Sequence, residues 1–135
     1  MLQGSDSRHR IEMNTKSILL LLASAGAATT STAIFRATLK DRFAWKGSVP
    51  VLIKDVFGLL SNVGFLAGLA VFILANVLWL LVLGSQKLSV AYPVQIGLVV
   101  LFNAIISAWF FAESMTMQGY AGLAFIVLGV FLIVR

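Results

Sequence analysis

Four long stretches without a charged residue constrain this chain more than anything else in it. They run from Ser17 to Phe35, Val56 to Gln86, Leu88 to Ala112 and Ser114 to Val134. A helix that crosses a bilayer needs about 20 apolar residues, and each stretch supplies them. Inside hydrocarbon the backbone has to satisfy its own hydrogen bonds, so each stretch reads as a helix. Barrel strands would alternate apolar and polar residues, and these stretches do not. The expected fold is therefore all-α and integral to the membrane. Its four transmembrane helices should lie near residues 17–35, 59–83, 89–112 and 117–134, within a membrane domain spanning 17–135.

Composition agrees. Hydrophobic residues are 60% and charged residues 11% of 135, and the mean hydropathy is +1.00, too little charge to cover a soluble domain of this length. With no cysteine, disulfide frameworks and thiolate metal sites are excluded. One histidine, His9, cannot build a metal site alone. The net charge of +5 sits between apolar blocks, which points to phospholipid headgroups or an anionic lipid substrate and away from nucleic acid.

Residues 1–16 form a polar tail, expected to be disordered, with no signal-peptide cleavage pattern after the first apolar run. Met13 is an alternative start. The second run exceeds one span, so Ser48 to Gly58, interrupted by Lys54 and Asp55, is expected as an interfacial turn or short helix. Pro50 and Pro93 mark boundaries, with Pro93 near the start of the third span, where a missing N–H costs least. Four spans put both termini and the middle loop on one side. That side carries Arg8, Arg10, Lys16, Lys87 and Arg135 against Arg36, Lys40, Arg42, Lys46 and Lys54 on the other, five against five, so charge does not orient the chain. Starting at Met13 would remove Arg8 and Arg10 and make the first-loop side cytoplasmic.

Polar residues inside the spans are the candidates for function, because lipid penalises any that lack a partner. The first span carries a small and hydroxylated stretch from Ala23 to Thr32, including Thr29 and Thr32. It suits either close helix packing or a polar wall beside a substrate. Asn62, Asn76, Tyr92, Gln95, Asn103 and Ser107 are the other intramembrane polar groups. Gln95 and Asn103 share a face of the third span, close to Tyr92, and that face can line a path or bond to a neighbouring helix. Gly64 with Gly68 reads as packing within the subunit, and Gly122 with Gly129 as a further packing stripe. Arg36 and Lys40 follow the first span, with Arg42 and Lys46 beyond them. They are headgroup anchors or, more sharply, a phosphate site, since arginine donates bidentately to phosphate. Glu113 closes the third span as an interfacial carboxylate and is a further candidate contact. No nucleophile, base and orienting group come together, and no carboxylate pair is evident, so the chain does not read as an enzyme.

From the second span onward the text resembles a known family. Asn76 to Leu83, then Ala91-Tyr92-Pro93, Gly97, Trp109 to Glu113 and Gly122 to Val130 are similar to the four-helix, small multidrug resistance-like branch of the drug/metabolite transporter superfamily. The similarity is greatest to subunits that flip lipid-linked aminoarabinose, and it covers about Leu69 to Val134. Two departures separate it from the drug exporters of that branch. Ala28 stands where they carry a proton-exchanging glutamate, and Gln95 stands where they carry a tryptophan three residues after the tyrosine. The resemblance thus implies a multi-pass transporter of a prokaryotic plasma (inner) membrane, flipping a polyprenyl-phosphate-linked sugar or similar amphipathic lipid, without a cofactor. It would pair with itself or with a similar four-helix subunit. A cationic drug exporter, or an accessory subunit of an envelope glycosylation complex, remains the alternative.

Overall fold

The structure, a computed structural model, describes residues 15–40 and 49–135. Among them every regular element is a helix: α1 Thr15–Leu39, α2 Val49–Leu59, α3 Val63–Leu83, α4 Leu88–Phe110 and α5 Met117–Val134. All but α2 are long and apolar enough to cross a membrane. The protein is a four-helix, multi-pass membrane bundle. Its outer surface carries large apolar side chains such as Phe72, Leu80, Phe125 and Leu132, which hydrocarbon solvates and water would not. The buried apolar core is correspondingly thin, built on Leu21, Val82, Val90, Ala91 and Val94.

In lipid, helices associate through close backbone approach and interhelical hydrogen bonds, because apolar burial offers little. α1 is the centre of this arrangement. It packs along α3 and, less extensively, along α4, while α5 packs on α4. On the α1–α3 seam, Gly64 and Gly68 let the backbones close. A Cβ at Gly68 would lie 2.8 Å from the Phe35 ring, and one at Gly64 would lie 2.8 Å from the Thr38 hydroxyl. The Ser31 hydroxyl then donates to the Gly68 carbonyl at 2.9 Å. On the α1–α4 side, the Gln95 amide donates to Ser24 Oγ at 2.5 Å, and from the α3–α4 connection the Gln86 amide donates to Ser17 Oγ at 2.9 Å. Ser17, Ser24 and Ser31 are all buried. Their seven-residue spacing brings each to the same side of α1 two turns apart, so the helix is stitched at three levels. Where α5 crosses α4, a Cβ at Gly97 would meet Val130 at 2.5 Å.

Several boundaries differ from expectation. α1 already includes Thr15 and Lys16, which the sequence reading placed in the tail; residues 1–14, and with them the expected disorder and His9, Arg8 and Arg10, lie outside the described residues. Arg42 and Lys46 lie outside them too. The second span starts at Val63 and not near Leu59. The N–H groups of Leu60, Ser61 and Asn62 reach carbonyls only three residues back, and the Asn62 side chain accepts from Phe65 N–H at 3.1 Å as the N-cap of α3. Asn62 is thus a capping group at the helix start and not an intramembrane polar group. Val49–Leu59 is the short helix that the sequence left open as turn or helix. Pro93 lies inside α4 beyond its first turn, so the Ser89 carbonyl receives no helical N–H from it. Gly122 and Gly129, expected as a packing stripe, face open space.

Candidate functional site

The C-terminal half of α1 presents small side chains to α4. Gly26, Thr30, Ala33 and Ala37 fall on one face by helical spacing. Opposite them Phe102, Ile106 and Phe110 repeat every four residues along α4. Small against large at this crossing leaves space. A cavity of about 450 Å³ lies between Thr30, Ala33, Ile34 and Ala37 of α1 and Ile106, Phe110 and Phe111 on the α4 side. A smaller one of about 190 Å³ continues down the seam past Gly26, Thr29 and Phe102. The large cavity is almost wholly apolar in its lining.

A second space, about 150 Å³, adjoins it and shares Ala33, Ile106 and Phe111 as walls, but its other walls are Thr32, Arg36, Asn103 and Ser107. Here the Arg36 guanidinium forms an ion pair with the Glu113 carboxylate, and the Ser107 hydroxyl donates to the other Glu113 oxygen. The guanidinium also stacks over the Phe111 ring, 4.9 Å from its centroid, a favourable cation–π placement. Glu113 reaches this position because Ala112 adopts φ 50°. That left-handed residue turns the chain back at the end of α4, and the Glu113 N–H donates to the Ser107 carbonyl at 3.2 Å.

The structure gathers four of the residues singled out from sequence: Arg36, Thr32, Asn103 and Glu113. Asn103 donates to the Val99 carbonyl at 2.8 Å, which leaves its own side-chain oxygen available to accept. The Thr32 hydroxyl donates to Ala28 O at 3.0 Å within its own helix and can still accept. Thr29 is buried, with its hydroxyl turned to Ala25 O at 2.9 Å, so it touches the deep cavity only with its carbon atoms or as an acceptor. Lys40 is exposed one turn beyond Arg36, its N–H bonded to the Arg36 carbonyl at 3.0 Å. Two expected residues stand apart. Tyr92 faces outward against Trp79, ring centroids 6.1 Å apart, and lines none of these spaces. Gln95 is committed to Ser24, and its buried side-chain oxygen has no partner. The shared face drawn for Gln95, Tyr92 and Asn103 is therefore divided. Gln95 serves the α1 seam, Asn103 serves the polar nook, and Tyr92 points away. Arg36, expected as a headgroup anchor or a phosphate ligand, already has a carboxylate partner, and Glu113 is more than a turn-fixing group because it closes that ion pair.

Ser107, read from the sequence only as an intramembrane polar group, and Phe111 also belong to the site. Ser107 stands four residues after Asn103, one turn along the same face, and that spacing was the available signal. Among the described residues no three or more His, Asp or Glu side chains come close enough to hold a metal ion. No family model, curated protein or solved structure matches the chain.

Proposed function

We propose that this protein is a membrane transporter that moves an amphipathic anionic lipid, of the polyprenyl-phosphate-linked sugar kind, between the leaflets of a prokaryotic inner membrane. The observation that carries the proposal is the join between the two spaces. An apolar groove of about 450 Å³ lies beside a polar nook walled by Arg36, Asn103 and Thr32, with Ala33, Ile106 and Phe111 common to both. A tail against Ile34 and Phe110 with a phosphate at Arg36 matches that division. Sugar hydroxyls would then lie within reach of the Asn103 oxygen and the Thr32 and Ser107 hydroxyls.

The Arg36–Glu113 pair does not oppose this. The pair is partly exposed, and exposed ion pairs contribute only roughly 0.2–1 kcal/mol in water, so little opposes its opening. Phosphate, which engages arginine with two oxygens, can therefore exchange with the carboxylate, and Lys40 one turn away adds attraction. Glu113 becomes the counter-ion that holds Arg36 in place between substrates. Ala28 supplies no carboxylate in mid-α1, and Glu113 is engaged by Arg36 and Ser107. Lipid movement therefore fits better than proton-coupled export of cationic drugs. Four helices are few for a closed path, so a second four-helix subunit, identical or similar, belongs in the working unit.

Reconstituted vesicles test this with a labelled polyprenyl-phosphate sugar in one arm and a cationic dye in the other. Arg36→Ala should lower lipid flipping about tenfold or more, the loss of one charge-assisted contact, and Arg36→Lys should retain part of it. Full activity in both variants, or dye movement without lipid flipping, would overturn the proposal.

A further inference from the structure

Among the described helices α2 is the most amphipathic, with Lys54 and Asp55 away from its main apolar face. Ile53, Val56 and Phe57 recur at i, i+3 and i+4 and so form a single face, and Leu60 follows in the turn just past the end of the helix. All four are open, at 52%, 45%, 67% and 50% exposure. Lys54, Asp55 and Gly58 occupy the other arc. Among the described residues α2 has no extended packing contact with any span, so the spans leave its apolar face uncovered.

Connectivity fixes where that face lies. α1 ends at Leu39 and α3 begins at Val63, both of them spans, so the two ends of α2 are tethered to the same face of the bilayer. With 11 residues, α2 is about 16 Å long at 1.5 Å per residue, roughly half the hydrocarbon thickness, so it cannot cross. Charge names the surface. Between the spans the sequence holds Lys40, Arg42, Lys46 and Lys54 against Asp41 and Asp55, a basic excess that an anionic leaflet attracts.

We propose that α2 is an in-plane anchor for an anionic bilayer surface. Ile53, Val56, Phe57 and Leu60 enter the boundary between headgroups and acyl chains, and Lys54 meets lipid phosphates. The anchor holds the exit of α1 and the entry of α3 at one height, and so fixes Arg36 at headgroup depth. It does not depend on which molecule the cavity between α1 and α4 takes.

The chain has no cysteine, so single-cysteine variants of the full protein can be spin-labelled directly. Ile53→Cys, Val56→Cys, Phe57→Cys and Leu60→Cys would be compared with Lys54→Cys and Gly58→Cys in vesicles of phosphatidylethanolamine and phosphatidylglycerol. Labels on the first four should collide with dissolved oxygen and be shielded from a water-soluble nickel chelate, with the reverse at the other two. Chelate access at all six sites overturns the proposal. So does shielding of the first four from both reagents, the mark of a covering protein surface. Replacing phosphatidylglycerol with phosphatidylcholine should shift the Phe57→Cys label toward the chelate. No shift overturns the assignment to an anionic surface.

Discussion

Ala112 shows how one backbone angle places a functional group. Its φ of 50° costs an L-residue roughly 1–2 kcal/mol, and alanine bears this better than a branched side chain would. Ala112→Gly should therefore leave thermal unfolding in detergent unchanged or slightly raised. Ala112→Val should lower stability by about 1–2 kcal/mol and pull Glu113 out of reach of Arg36. Glu113→Gln separates the two duties of that carboxylate. It removes an exposed ion pair worth roughly 0.2–1 kcal/mol, so unfolding should barely move. It also frees Arg36, so binding of an anionic phospholipid, followed by native mass spectrometry, should tighten; weaker binding would mean that Glu113 orients Arg36 and does not compete for it. Arg36 was legible in the sequence as the first charge after an apolar run. Its partner was not. Glu113 is distant in sequence, and the turn that delivers it carries alanine where glycine would have announced a left-handed residue.

Glycines separate what a sequence says about helices from what it leaves out. Gly64 and Gly68 look much like Gly122 and Gly129 on paper, yet only the first pair is closed on by a neighbour. Spacing places residues on a common face and does not say what the face meets. Gly68→Leu should overpack the α1–α3 seam against Phe35 and Ile34, lowering stability by at least about 1–3 kcal/mol. Gly129→Leu should unfold like the parent, because its surroundings are open. Thermal melts of both variants in the same detergent check the contrast, and equal losses would refute it. The spans themselves were readable because charge is so strongly excluded from hydrocarbon. The break between α2 and α3 was harder to read, since Leu59 and Leu60 carry the apolar signal straight through it. The capping potential of Asn62 was masked by the hydropathy around it.

For the molecule as a whole, four crossings require the two ends of the described chain to emerge on the same side. Single cysteines at Thr15 and Arg135 should react with an impermeant maleimide from the same face of sealed vesicles, and reaction from opposite faces would remove one span. The centrality of α1 also bears on how the protein is made. Synthesis delivers α1 first, while the groups that meet Ser31, Ser17 and Ser24 (the Gly68 carbonyl, Gln86 and Gln95) come later. Thr29, Thr30 and Thr32 need not wait, since each donates to a carbonyl four residues back in its own helix. The nascent first span therefore enters the membrane with Thr29, Thr30 and Thr32 self-satisfied and Ser17, Ser24 and Ser31 outstanding. The three serines have all met their partners once α4 is in place, so the seam around α1 is stitched by the third crossing, while Glu113, the partner of Arg36, and α5 are still to come.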